Sequence, residues 1–132
     1  MKNISVLLFL LITLALNAQN NKTSGLNARQ FHKYWKVESE SPDYKVTFLG
    51  DTVEILSPKG LTLWRKEKMS GKVTIEYDAC VVVEVEGDRL SDLNCFWMAS
   101  DPQYPDNIWK REKWRSGIFL NCYSLQLYYM GY

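Results

Sequence analysis

Residues 123–132 of the chain read YSLQLYYMGY, a run whose side chains alternate between two faces. Positions 125, 127 and 129 carry Leu, Leu and Tyr, and positions 126, 128 and 130 carry Gln, Tyr and Met. A period of two residues is typical of a β-strand. A strand with this much apolar area needs pairing and cover on both sides, and no residues follow. We therefore expect the chain to be the front part of a larger β domain.

The same period of two recurs along the rest of the chain. It predicts further strands at residues 34–38, 44–49, 52–56, 61–64, 72–85, 93–99 and 117–122. The run 72–85 shows the alternation most clearly, and Gly50-Asp51 is a turn signal that predicts a hairpin. Residues 100–116 read as a long irregular connection, and no segment after residue 18 has a helical period. The pattern predicts an all-β, antiparallel fold.

The amino terminus predicts a secretion signal over residues 1–18. Lys2 supplies a positive start, residues 6–16 are apolar except for one Thr, and Ala18 completes a small-residue cleavage site. The apolar run is short for a membrane span, although an uncleaved anchor is the alternative. We expect residues 19–30 to be a flexible lead-in, residues 31–132 to form the domain, and the location to be periplasmic or secreted.

Charge balance excludes two classes of partner. Lys2 is the one charged residue within 1–18, so removal of this segment changes 16 basic and 15 acidic residues to 15 of each. A neutral chain lacks the electrostatic footprint that nucleic acids or anionic membranes require. We expect no nucleic-acid partner and no stable membrane insertion.

The chain has three cysteines, Cys80, Cys95 and Cys122, and all lie in predicted strands. Their spacing fits neither a zinc site nor a small disulfide scaffold, so we expect three small buried hydrophobic side chains. A Cys80–Cys95 disulfide is the minor alternative.

No cofactor or metal ion is expected. Asp101, Asp106 and Asn107 could offer oxygen ligands to calcium, but they show no regular ligand spacing. Their position beside two prolines is more typical of turn formation.

Several segments resemble the concanavalin A-like lectin/glucanase family. They are residues 60–67 (GLTLWRKE), 70–78 (SGKVTIEYD), 94–101 (NCFWMASD), 115–119 (RSGIF) and 128–132 (YYMGY). The chain is similar to secreted bacterial domains of polysaccharide-utilisation systems and, more distantly, to proteins of rhamnogalacturonan utilisation. The resemblance covers residues 31–132 and only the front half of the family's domain. It implies an antiparallel β-sandwich, a concanavalin A-like jelly roll, that is incomplete at its C-terminus.

The composition suits a polysaccharide or oligosaccharide ligand, with pectic glycans as one candidate. Sugars present apolar faces that lie on aromatic rings and hydroxyls that need polar partners. The candidate binding residues are Asn94, Trp97, Trp109, Arg115, Tyr123 and Tyr128. Burial tendency favours a core position for Trp35, Trp64 and Trp97, whereas binding and packing are equally open for Trp109 and Trp114.

Glycoside hydrolysis is one catalytic alternative. It needs two carboxylates across the scissile bond, and Glu76, Asp78 and Glu84 share one face of a predicted strand. Glucanases of this fold carry Glu-x-Asp-x-x-Glu, and residues 76–81 (EYDACV) lack the last Glu. A solvated strand face is the better interpretation of these acids.

Polysaccharide lysis is the other catalytic alternative. A lyase needs a cation to neutralise a uronate and a base for the adjacent proton. Arg115 with Tyr123 or Tyr129 could serve, whereas His32, the only histidine, precedes the first clear strand. Three interpretations stay open: a glycan-binding domain, an enzyme whose catalytic residues lie partly in a missing C-terminal half, and a non-functional truncated relic.

Overall fold

A computed structural model describes residues 25–83, 86–87 and 93–131. In these ranges the main elements are six short strands: β1 (Trp35–Ser39), β2 (Lys45–Leu49), β3 (Thr52–Leu56), β4 (Leu61–Arg65), β5 (Asn94–Ser100) and β6 (Gln126–Gly131). The predicted signal sequence and residues 19–24 of the predicted lead-in lie outside the described residues. The mostly-strand architecture agrees with the all-β prediction.

The six strands form three two-stranded sheets, and every pairing is antiparallel. β1 pairs with β4, β2 with β3, and β5 with β6. The prediction of antiparallel pairing is therefore confirmed. The partner of β6 is β5, from which it is separated in the sequence by residues 101–125.

The hairpin predicted at Gly50-Asp51 is confirmed. β2 and β3 pair in register from Leu49↔Thr52 outward, and only Gly50 and Asp51 lie between the two strands. Gly50 has φ +62°, a left-handed conformation that the tight turn requires and that glycine adopts without steric cost.

The prediction of a strand at 117–122 is wrong, and so is the prediction that no helix follows residue 18. Short helical turns lie at α1 (Phe31–Tyr34), a 3-10 helix (Ile108–Arg111), α2 (Glu112–Arg115) and α3 (Phe119–Cys122). Ser116 and Gly117 both have positive φ, 46° and 74°, and they turn the chain sharply between α2 and α3. This reversal interrupts any extended run, and α3 then places Cys122 in the core.

The segment with the clearest alternation in the sequence does not form a strand in the described structure. Residues 72–83 lie outside all six strands, and their side chains are exposed. Alternation favours an extended backbone, but a strand also needs a neighbour to pair with, and none of the described strands pairs with this segment. Residues 84–85, which complete the predicted strand, lie outside the described residues.

The core lies between the β1–β4 sheet and the chain that follows β5. Its buried members are Trp64, Cys122 and Leu125. Four half-buried hydrophobic residues pack against them: Ala99, Ile108, Trp109 and Leu127. Burial of Trp64 confirms the prediction made for it. No helix in the described ranges has the length and apolar character needed to cross a membrane.

The cysteines differ in environment more than the sequence predicts. Cys122 is buried as expected, but Cys95 is half-buried and Cys80 is exposed. All three are free thiols, so the alternative of a Cys80–Cys95 disulfide is wrong. Burial, together with the nearby Glu38 carboxylate, raises the pKa of the Cys122 thiol.

Thiol labelling of the native protein should therefore separate Cys80 from Cys122. Because the thiolate is the reactive form, a raised pKa keeps Cys122 protonated and slow as the pH passes about 8.5, the ordinary thiol value. We expect a coloured disulfide reagent to modify Cys80 rapidly and Cys122 only after denaturant is added. The C80S variant should lose the fast phase; a fast phase that disappears in C122S instead would contradict the structure.

Candidate functional site: the outer face of the β5–β6 sheet

The β5–β6 sheet brings aromatic residues from two distant parts of the sequence side by side. Its register aligns Phe96 with Tyr129 and Trp97 with Tyr128. Since successive side chains of a strand point to opposite faces, these two aromatic pairs lie on opposite faces of the sheet.

The Phe96–Tyr129 pair lies on the inner face. Phe96 stacks on the buried Trp64 of β4, with ring centroids 6.4 Å apart and planes at 19°. Tyr129 packs on Phe96 at 5.6 Å, and Leu127, on the same side of β6, contacts the core. This face therefore packs on the core through Phe96 and Leu127, while Tyr129, which is 50% exposed, borders solvent.

The Trp97–Tyr128 pair lies on the opposite face, which we call the outer face. Its two rings are nearly parallel, at 13°, with centroids 5.9 Å apart. Tyr128 is 59% exposed, and Gln126 and Met130, the alternate residues of β6, are also exposed. Trp97 is half-buried, neither in the core that its burial tendency favours nor fully exposed. The outer face thus presents the exposed ring of Tyr128, parallel to the half-buried ring of Trp97, beside the exposed amide of Gln126.

A β-bulge ends the outer face at Met98. The register shifts between Trp97 and Ser100, and Met98 has φ 55° with 77% of its surface exposed. The bulge changes which residues face inward, so that Ala99 packs on the core although Trp97, two positions earlier, is on the outer face. A methionine at positive φ is uncommon, and such strained positions cluster at binding sites.

An ion pair secures the chain immediately after β5. Arg111 donates to both carboxylate oxygens of the fully buried Asp101, at 2.7 and 2.8 Å, and to Ser124 Oγ at 3.1 Å. The hydrogen bonds from Arg111 lower the pKa of the Asp101 carboxyl, and the backbone N–H of Gln103 adds to the effect. Asp101 and Asn107, whose Oδ1 accepts from the Trp109 N–H, thus serve as turn formers, as their position in the sequence indicates.

Arg115, a predicted sugar contact, lies in the interior instead. Its side chain is fully buried and donates to both oxygens of Glu38, at 3.1 and 2.6 Å, and to the carbonyl of Ile108 at 2.7 Å. The guanidinium also lies over the ring of Trp64, 5.6 Å from its centroid. Arg115 therefore joins β1, β4 and the helical connection, and its guanidinium is not presented to solvent.

The other predicted residues lie at separate places. Asn94 lies at the end of β5, where its Oδ1 accepts from the Tyr129 hydroxyl at 3.0 Å. Trp109 packs edge-on against Trp64, at 6.4 Å, beneath the ammonium of Lys36. Tyr123 is 72% exposed. Its ring contacts Phe119, away from the outer face.

Of the six predicted residues, the structure therefore unites Trp97 and Tyr128. Sequence reasoning missed Glu38, the partner of Arg115, which is 77 residues distant. No spacing signal could have joined them, because the contact depends on how the helical connection packs across β1. Gln126 carried a usable signal: it alternates with Tyr128 on the strand predicted at the end of the chain.

The residues considered for catalysis are not assembled into a site in the described structure. Glu76 and Asp78 lie on the exposed segment 72–83, outside the sheets, and Glu84 lies outside the described residues. Arg115 is enclosed by Glu38 and Trp64. Among the residues described, no three His, Cys, Asp or Glu side chains are grouped so as to hold a metal ion.

Fold and site together define a small antiparallel β protein with an aromatic outer face. A family model described as "Domain of unknown function (DUF6250)" matches residues 55–132, which is more than half of the chain. The protein therefore belongs to this family. No curated protein and no solved structure matches the chain.

Proposed function

We propose that this protein is an exported glycan-binding domain that holds a polysaccharide or oligosaccharide on the outer face of the β5–β6 sheet. The proposed architecture is the concanavalin A-like β-sandwich that the sequence resembles, with pectic glycans among the candidate ligands. The observation that carries the proposal is the parallel pair of rings formed by the exposed Tyr128 and the half-buried Trp97.

The chemistry of the outer face supports a sugar ligand. Parallel rings offer flat surfaces to the C–H faces of sugars, and the phenol of Tyr128 can both donate and accept hydrogen bonds. Gln126 adds an exposed amide on the same side of the sheet. A face that combines rings with uncharged hydrogen-bonding groups matches the amphipathic surface of a glycan.

Binding is proposed in preference to cleavage. The cation of the lyase interpretation, Arg115, is enclosed in the core, and its guanidinium is hydrogen-bonded to Glu38. The carboxylate of Asp101, which directly follows β5, is held by Arg111. Neither group is available at the outer face for acid, base or uronate-neutralising work.

Loss of either ring should weaken glycan binding. We expect W97A and Y128A each to reduce affinity for the soluble polysaccharides that the protein binds by about tenfold or more, because buried aromatic anchors dominate such contacts. Affinity electrophoresis against a panel of neutral and acidic polysaccharides measures the effect, with a thermal melt of each variant to verify folding.

W114A is the matched control, because Trp114 is 50% exposed but lies on α2 instead of the sheet. Its affinity should stay within about twofold of the parent, as expected for a residue outside the contact. A loss in W114A with none in W97A or Y128A would move the site to the helical connection, and the absence of binding to any polysaccharide would refute the function.

A further inference from the structure

The outer face has a chemical feature that the glycan proposal does not require: the sheet that bears it has no ionisable acid or base other than its two tyrosines and one cysteine. β5 reads NCFWMAS and β6 reads QLYYMG, so the two strands contain no Asp, Glu, Lys, Arg or His. In a chain of which 23% is charged, this concentration of uncharged side chains restricts the ligand.

Among the residues that the structure describes, two buried acidic groups near the sheet are each paired with an arginine. Asp101, directly after β5, is paired with Arg111, and that arginine also donates to Ser124 just before β6. Arg115 is paired with Glu38 in the interior. The exposed cations of the helical connection, Lys110 and Lys113, belong to the 3-10 helix and α2 and not to the sheet.

A ligand carboxylate on the outer face would lose water without gaining a cation from either strand of the sheet. Transfer of a carboxylate out of water is unfavourable unless a charged or strongly hydrogen-bonding partner replaces the hydration shell. Sugar hydroxyls and methyl esters meet no such penalty, because Tyr128 and Gln126 can satisfy hydroxyls and the rings accept apolar groups.

From this we infer that the outer face selects uncharged glycans: neutral polysaccharides, or uronate polymers whose carboxyl groups are esterified, and not free polyuronates. The inference rests on the proposed glycan-binding function and specifies its ligand class.

A matched pair of ligands tests the charge directly. Polygalacturonate and its fully methyl-esterified form share one backbone and differ in the carboxylate charge. We expect the esterified polymer, or a neutral β-glucan used as the third ligand, to bind at least about tenfold more tightly than polygalacturonate. The physical reason is the hydration that the carboxylates of polygalacturonate would lose on the outer face, and a tenfold ratio requires only a modest difference in binding free energy. Affinity for the uncharged ligand should change less than about twofold between low and high salt, because screening acts on charge pairs.

Tighter binding of polygalacturonate, weakening steeply as salt is added, would overturn the inference and leave the glycan-binding function intact. Failure of all three ligands to bind would instead remove the function on which the inference rests. The two failures are thus distinguishable in one titration series.

A variant with a charge on the outer face tests whether this face is responsible for the selectivity. Gln126 is exposed and lies beside Tyr128, so Q126K should add a cation to the face without disturbing the core. We expect Q126K to gain salt-sensitive affinity for polygalacturonate while W97A in the same background loses it. An equal gain from the remote variant T52K, at an exposed position of β3, would show that the effect is one of net charge and would contradict the assignment to this face.

Discussion

R115M is expected to lower the free energy of unfolding by about 3–5 kcal/mol, because it leaves the buried carboxylate of Glu38 without its cation. The Arg115 side chain is fully buried, and Glu38 is 4% exposed, so water cannot replace the lost partner. The same substitution removes the hydrogen bond to the Ile108 carbonyl and the contact with Trp64. A thermal melt followed by circular dichroism should show a midpoint lower by about 10 °C or more.

Two further variants give this prediction its controls. K59M removes an exposed ion pair with Glu40, whose side chains are 60% and 36% exposed, and should change stability by less than about 1 kcal/mol. The double variant E38L/R115M removes both buried charges and should recover part of the loss, because replacing a whole buried pair costs less than breaking it. A melt of R115M that matches K59M would contradict the buried ion pair.

G117A is the second change with a large expected effect, a loss of about 2–4 kcal/mol from backbone strain and overpacking combined. Gly117 is buried with φ +74°. A Cβ there would lie 2.6 Å from the Glu38 carbonyl oxygen and 2.7 Å from that of Gly60. The neighbouring atoms belong to backbone, so they cannot move aside without displacing β1 or the turn before β4.

Gly50 separates the two causes of this loss. It also has a left-handed conformation, φ +62°, but a Cβ there meets nothing within 4 Å. G50A should therefore show the strain alone, about 1 kcal/mol, and remain the milder variant by equilibrium denaturant unfolding. If G50A and G117A were equally destabilised, the close approach of the chain to β1 at Gly117 would be wrong.

Local signals in the sequence predicted local features of the fold. The Gly50-Asp51 pair predicts the β2–β3 hairpin because a two-residue turn depends on the conformation of those two residues. Alternation at the end of the chain predicts β6 for a similar reason, since period two is a property of the strand itself. Segment 72–83 shows where such local signals stop being sufficient. Alternation favours an extended backbone, but a strand also needs a partner to pair with, and alternation does not identify that partner.

The sequence predicted the types of residue in the candidate site better than it predicted which residues form it. Aromatic residues near Tyr128 were expected to meet a ligand, yet only the register of β5 with β6 decides that Trp97 is the ring beside it. Arg115 shows the reverse case. An arginine in a long connection suggests a polar contact with solvent or ligand, but its position opposite Glu38 makes it an internal brace.

By itself, the sequence determined the strand-rich character, the antiparallel hairpin and the mixture of rings and uncharged polar groups, because each follows from residues adjacent along the chain. Only the tertiary structure decided which rings share a face, that α3 replaces a predicted strand, and that Arg115 is enclosed. These features depend on contacts between residues far apart in the chain, and burial then reverses the solvent preference that a single side chain has alone.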